Sequence, residues 1–410
     1  MNREAQNYLV RERNINIFAF LLLVTILCTM GYNAYDLLPL QLLSYASECA
    51  LIVYTFVVSS NSHNYDLKKA PVLLVSGIII LNYCFSPNEP EYTDLLKYLG
   101  YLGCYKFGDS LARKYDEIKV SKIWLYLIVF VPVFLVAFFD DSVMKNQFFR
   151  VSNGFVYLGV AIGGFYLLVK GRNKRNFIRA ILITAFYILV CTSLGVAVAA
   201  FLTFLILNMK KNHIPYVIIG GGILLLAILF IDIPIFIRMR DVLTVWKYVM
   251  DNNAGNIQDV DFVEINNLDR AGERTDASSS VWRIVQWIRL FKEYVSEIWT
   301  IPFGMGAGYS VKSTGLYPHN DYLRILIEYG LIVFIYILNF VLSVYKRLKN
   351  EGMLIYFILT MLLYHLTENL LNNFPPGAIL YFLIGWAMYK YRNIKYRING
   401  KSLTEKNIER

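Results

Sequence analysis

FIRAILITAFYILVCTSLGVAVAAFLTFLILN, residues 177 to 208, is the stretch whose reading decides the fold. A membrane-crossing helix needs about 20 apolar residues, so this run is too long for one crossing and short for two. Basic clusters flank it: Lys170, Arg172, Lys174, Arg175 and Arg179 before, Lys210 and Lys211 after. A single crossing would put the clusters on opposite faces of a membrane, against the rule that basic loops stay inside. A split near Thr192-Ser193-Leu194-Gly195 puts both on one face and makes two short spans.

The same apolar signal repeats on either side. Before this run come Ile15 to Gly31, Leu40 to Val58, Pro71 to Phe85, Thr93 to Leu111, Ile123 to Phe139 and Gly154 to Val169. After it come Ile214 to Ile237, Tyr322 to Tyr345, Met353 to Leu371 and Gly377 to Tyr389. With the split, these predict an all-α polytopic integral membrane protein with about twelve transmembrane helices. Composition agrees: 57% of the 410 residues are hydrophobic, 16% aromatic and only 17% charged, which excludes a soluble chain around one packed core. The first run reads as an uncleaved span, because no small-residue cleavage site follows it. The run Thr93 to Leu111 is the weakest, since it contains Lys97, Lys106 and Asp109.

Lys and Arg concentrate in alternate connections, while the short loops of the other face hold only Lys145 and Arg150. That asymmetry places both termini inside and the longest loop outside. In that loop, Arg238 to His319, nine basic residues face ten acidic ones. The net charge of +10 is therefore an orientation signal, not a nucleic-acid surface. The organisation read from the sequence is residues 1–237 as spans one to nine, 238–321 as a large, mostly helical outer loop, 322–391 as spans ten to twelve, and 392–410 as a basic cytoplasmic tail. The five cysteines all lie in apolar runs, which gives no disulfide framework, and four scattered histidines with no HExxH or CxxC give no metal site.

Chemistry concentrates where the outer loop meets the tenth span. Asp241 to Met250 reads as helical and Asp251 to Ser280 as irregular, with Ser278 to Ser280 offering caps for an amphipathic helix. That helix carries Arg283 and Trp287 four residues apart, on one side. Taken alone, the pair reads as an interfacial tryptophan with a snorkelling arginine. Gly304, Gly306 and Gly308 follow in a turn whose meaning is close backbone approach, either to a ligand or to a neighbouring helix. His319-Asn320 comes next. Asn320 or Asp321 can cap the helix that follows, leaving His319 at its positive end, where an anion is favoured.

Arg324 and Glu328 then enter the tenth span, and His365, Glu368 and Asn372 stand three and four apart near the exit of the eleventh. Two readings stay open: Glu328 or Glu368 pairs with Arg324 to tie helices together, or these charges line a catalytic cavity. Glu48 and Lys97 are possible members of such a cavity. Asp259-Val260-Asp261 spells the DxD of metal-using transferases, but in an acidic loop it reads as chance.

The order Arg283, Trp287, Gly304-x-Gly306-x-Gly308, His319-Asn320, Tyr322-Leu323, Glu328-x-Gly330 resembles the C-terminal signature of the O-antigen polymerase and O-antigen ligase superfamily (Wzy and WaaL). The likeness covers about fifty residues and loosens upstream. One element departs from it: Cys191-Thr192-Ser193-Leu194-Gly195 has Leu194 where the family often has an arginine, leaving Arg150, Arg238, Arg240, Arg270 or Arg274 as outer-side substitutes.

The resemblance implies a GT-C-like glycosyltransferase of the bacterial inner membrane that joins undecaprenyl-diphosphate-linked oligosaccharides on the periplasmic face. It implies inverting transfer with no metal and no cofactor, because diphosphate already leaves well once its charge is neutralised. Arg283 would bind the diphosphate and His319 would act as base, with Asn320, Trp287, Gly306, Arg324, Glu328 and Glu368 contacting diphosphate or glycan. The partners implied are the lipid-linked donor and acceptor glycans, membrane lipid and a separate chain-length regulator. Polymerase is the main expectation, a ligase acting on a lipid A core sugar is the nearest rival, and a flippase of the same lipid-linked glycan is the alternative class.

Overall fold

The structure is a computed structural model that describes residues 3–35, 37–60, 70–88, 90–115, 117–138, 152–191, 194–208, 276–315, 317–349 and 352–406, with single positions 230 and 247. All secondary structure among the described residues is helical, with no strand. Three helices are long and apolar enough to cross a membrane by length and composition, covering Arg13–Tyr32, Leu38–Ser59 and Asp321–Leu348. Several shorter apolar helices accompany them. Apart from positions 230 and 247, the run Ile214 to Ile237 and the helix expected over Asp241 to Met250 lie outside the described residues. So do Arg150, Arg238, Arg240, Arg270, Arg274 and Asp259 to Asp261.

Two compact units divide the chain. The first comprises Met1–Leu73, Glu91–Phe204 and Tyr336–Arg410. Its helices are α1 (Arg3–Tyr35), α2 (Leu38–Ser60), α4 (Tyr92–Lys114), α5 (Lys122–Phe138), α6 (Ser152–Lys170), α7 (Lys174–Cys191) and most of α8 (Leu194–Asn208). The long run 177–208 thus falls as two helices, α7 and α8, with the two residues between them outside the described set. The C-terminal helices α13 (Met353–Tyr364) and α14 (Phe374–Lys406) complete the unit.

Small residues let these apolar helices approach closely, as in membrane bundles generally. Where α14 crosses α4, a side chain at Gly385 would strike the Tyr105 carbonyl, and one at Gly108 the Phe382 carbonyl. Phe18, Phe107 and Phe382 stack beside that crossing. Gly159 and Gly163 do the same for α6 against Tyr187 and Thr184 of α7.

One expectation about this unit is corrected. The apolar run Met353 to Leu371 is not one helix: α13 stops at Tyr364, and residues 365–373 are turns. The hydroxyl of Thr367 donates to the Tyr364 carbonyl at 3.2 Å, and Pro375 and Pro376 begin a new helix. His365, Glu368 and Asn372 therefore do not share one helical face. Helix α14 runs on as helix to Lys406, into the residues of the basic tail.

The second unit comprises Leu74–Pro90 and Leu205–Ile335. It holds most of α3 (Ala70–Cys84), then α9 (Asp276–Val295), α10 (Thr300–Phe303), α11 (Tyr309–Thr314) and the first half of α12 (Asp321–Leu348). Helix α9 begins at Asp276, so Ser278 to Ser280 lie inside it and do not cap it. A core of Leu290, Tyr294 and Ile327, flanked by Ile301, Met305, Tyr309, Leu323 and Leu326, joins α9 to the turn and to α12.

The sequence also predicts an unbroken span over Tyr322 to Tyr345, and the structure breaks it. Gly330 has φ 82° and ψ 176°, a conformation open essentially only to glycine, so the helical hydrogen bonds stop there.

Candidate functional site

Breaking a helix strands carbonyls that would have accepted from the next turn. In α12 those of Ile327 and Glu328 are taken up by the glycine turn: the Met305 amide donates to Ile327 at 2.8 Å and the Gly306 amide to Glu328 at 3.2 Å. Such a contact needs two backbones to touch. A Cβ on Gly304 would lie 2.3 Å from the Glu328 carbonyl oxygen, and one on Gly330 would lie 2.4 Å from that of Pro302. The spacing Gly304-x-Gly306 and Glu328-x-Gly330 is thus one device, a backbone clamp between turn and helix.

Of the two meanings open for the turn, approach to a neighbouring helix is the one seen at Gly304. Gly306 has a packing role as well, since its other side faces Ser86 and Asn88. These two residues come from the loop after α3. Ser86 donates to the Ala307 carbonyl at 2.7 Å, and Asn88 donates to that of Met305 at 3.0 Å.

The clamp holds the N-terminal half of α12 beside α9. Glu293 of α9 accepts from Tyr309 at 3.0 Å and from Ser313 at 2.7 Å, while Arg289 donates to its other oxygen at 3.2 Å. Gln286 donates to Thr314 at 2.6 Å. Burial, and next the Glu293 carboxylate, push the Tyr309 phenol above its ordinary pKa of 10.0.

Against this frame α9 meets the segment that precedes α12. The indole N–H of Trp287 donates to the Pro318 carbonyl. One turn earlier, the Trp282 ring stands edge-on to His319, centroids 5.9 Å apart and planes at 80°. Arg283 is half-buried on the same helix, on the side it shares with Trp287. Two tryptophans of the helix that carries Arg283 thus meet the segment Pro318-His319.

His319 has φ 48°, the only positive value outside glycine among the described residues. Such a conformation costs energy and is held by its surroundings. Here the Trp287 bond fixes the residue before it. Asn320 fixes the residue after, accepting the Leu323 amide at 3.0 Å as the cap of α12.

Arg324 and Glu328 pair with each other at 3.2 Å within α12. Both are buried, with side chains 3% and 0% exposed. Ser310 of α11 donates to the second Glu328 oxygen, and the Tyr317 ring lies 4.5 Å from the Arg324 guanidinium. Each charge is thus matched by an ion partner and a second contact, the arrangement a buried pair requires. Ser310, Tyr317, Trp282 and Glu293 are the residues that sequence reading missed. Tyr317 and Trp282 adjoin the motif and could have been found there, while Ser86 and Asn88 lie more than two hundred positions away and gave no signal.

Glu368 belongs to the first unit, buried at 4% exposure in the turn after α13. There His365 shares a hydrogen bond of 3.0 Å with the Tyr157 hydroxyl. Glu48 of α2 is buried in the same unit within electrostatic range of Lys97 and Asp94, which pair at 3.5 Å. No three His, Cys, Asp or Glu side chains cluster as a metal centre would need among the described residues. No protein-family model matches the chain, and no curated protein matches it either.

Proposed function

We propose that this chain is a membrane glycosyltransferase, a polymerase that joins lipid-diphosphate-linked oligosaccharide repeats. The observation that carries the reading is the convergence of α9 on Pro318-His319: Trp287 bonds the Pro318 carbonyl, and Trp282, next to Arg283 in the chain, faces a strained histidine at the capped N-terminus of a helix. A guanidinium suits diphosphate oxygens in bidentate fashion, and a helix N-terminus favours the same anion. Imidazole titrates near neutral pH and can take a proton from an attacking hydroxyl. The acceptor hydroxyl would attack the anomeric carbon, the bond from that carbon to the diphosphate oxygen would break, and the hydroxyl proton would pass to His319. The leaving diphosphate would keep the bonding electrons, held by Arg283, and the anomeric centre would invert.

About twelve spans, both termini inside and the α9 to α11 region on the outer face of a bacterial inner membrane complete the proposal. What supports it is the charge asymmetry of the loops and the resemblance of residues 283–330 to the polymerase and ligase signature. Leu194 leaves the family's arginine position empty in this chain. In this reading the diphosphate contact rests on Arg283.

The test is reconstitution of the purified chain in liposomes with defined undecaprenyl-diphosphate-linked repeats. Polymerase activity gives longer lipid-linked product, abolished by His319→Ala. Transfer only to a lipid A core acceptor would reassign the chain as a ligase. Movement of lipid-linked sugar across the bilayer without extension would remove the enzyme reading.

A further inference from the structure

We propose that the elbow formed by the end of α9, the following turn and α10 is a lipid-binding wedge that inserts into one leaflet of the bilayer. The inference rests on the apolar helices being in a membrane and not on glycosyl transfer.

Helix α9 is apolar on two sides. Leu290 and Tyr294 are consumed by the core of their own unit. Phe291, Val295, Ile298, Trp299 and Phe303 are exposed, Ile298 and Trp299 at 76% and 75%. Single exposed apolar residues are ordinary, but five in one short stretch form a patch that needs an occupant.

Three observations identify the occupant as phospholipid. First, the elbow is fixed at the end of an apolar helix: Asn82 of α3 donates to the Phe303 carbonyl at 3.3 Å, and α3 ends at Cys84. The next residue, Phe85, is itself 79% exposed, so a further apolar side chain stands open at the end where such a helix would leave hydrocarbon. Second, the chemistry is interfacial. Trp299 is the residue type that collects at headgroup depth, and exposed Lys292 suits anionic headgroups. Third, the elbow's acidic residue Glu297 is exposed beside the patch rather than buried in it, so it can stay in water while the apolar side chains insert. Anchored in this way, α9 would hold Arg283 and Trp287 at a fixed height above the hydrocarbon.

The experiment compares the full-length chain with Trp299→Phe in nanodiscs of phosphatidylcholine and phosphatidylglycerol. The emission lost in the variant is the Trp299 component. We expect that component to be lost when the nanodiscs contain lipid spin-labelled near the headgroup, and to resist aqueous iodide. A second variant, Ile298→Asp, should expel the wedge and make the Trp299 component iodide-sensitive. Quenching of the wild-type component by iodide would overturn the proposal by showing a solvated elbow. Resistance to both quenchers would overturn it too, because protein rather than lipid would then cover the patch.

Discussion

Replacing Gly330 by alanine should do far more damage than one added methyl group implies. At φ 82° and ψ 176° any side chain is strained, at about 1–3 kcal/mol. The new Cβ would also lie 2.4 Å from the Pro302 oxygen and 2.5 Å from the Gly304 nitrogen, both main-chain atoms that no rotamer change can move. The turn must withdraw, and the bonds it makes to Ile327 and Glu328 go with it. Each buried carbonyl left unmet costs about 1–3 kcal/mol.

The total is on the order of 4 kcal/mol, at the edge of what single substitutions do. Gly315→Ala is the control, since it shares a positive φ of 75° but faces open space. It should cost only about 1–2 kcal/mol. Thermal melts of the detergent-solubilised full-length chain should show Gly330→Ala lowered by about twice as much as Gly315→Ala, or more. Gly304→Ala should behave like Gly330→Ala. Equal shifts for Gly330→Ala and Gly315→Ala would mean that the clamp does not hold the broken helix, and the explanation of the glycine spacing would fall.

Trp287→Phe keeps an aromatic ring but removes the N–H bonded to Pro318; under the polymerase proposal it should lower the rate of chain extension about ten- to a hundredfold with little change in Tm, measured by product length against time. An unaltered rate would show that His319 does not depend on that bond. Glu328→Gln should destabilise by about 3 kcal/mol, because Arg324 stays buried without its counter-charge. Arg324→Leu combined with Glu328→Leu should cost less than the two single changes summed, read from the same melts as a double-mutant cycle.

Tyr309 sets an alkaline limit. Its folded pKa is raised, so the stability it contributes is complete below its ordinary value of 10.0 and is lost as pH rises through the raised value. Melts in that range should decline less steeply for Tyr309→Phe, and an identical decline would exclude this phenol as the cause.

Much of the architecture was legible because apolar run length and basic clusters act through short-range rules. Helices α7 and α8 cover most of residues 177–208, and Trp287 and Trp282, on the helix that carries Arg283, reach Pro318 and His319. The misses have physical causes. The bend at Gly330 could not be read locally, because the backbone it meets, Pro302 to Gly304, lies a loop away. The run Met353 to Leu371 was apolar enough to pass for one helix, although Thr367 and Pro375 end it. The sequence offered Glu328 and Glu368 alike as partners of Arg324, and the fold shows the pair with Glu328, one turn later on the same helix. The role of Ser86 and Asn88 beneath the glycine turn had no local trace at all.

The interruption at Gly330 also measures out the rod that follows. From Leu331 to Leu348 the helix rises roughly 27 Å, close to the thickness of a bilayer's oily interior. The hydrocarbon can therefore be spanned entirely by the later portion. Residues 321–329, with their guanidinium and carboxylate, are released from that duty and can stand as a rigid ledge in a more polar layer. A glycine with no side chain of its own would then determine how far from the acyl chains that ledge is stationed.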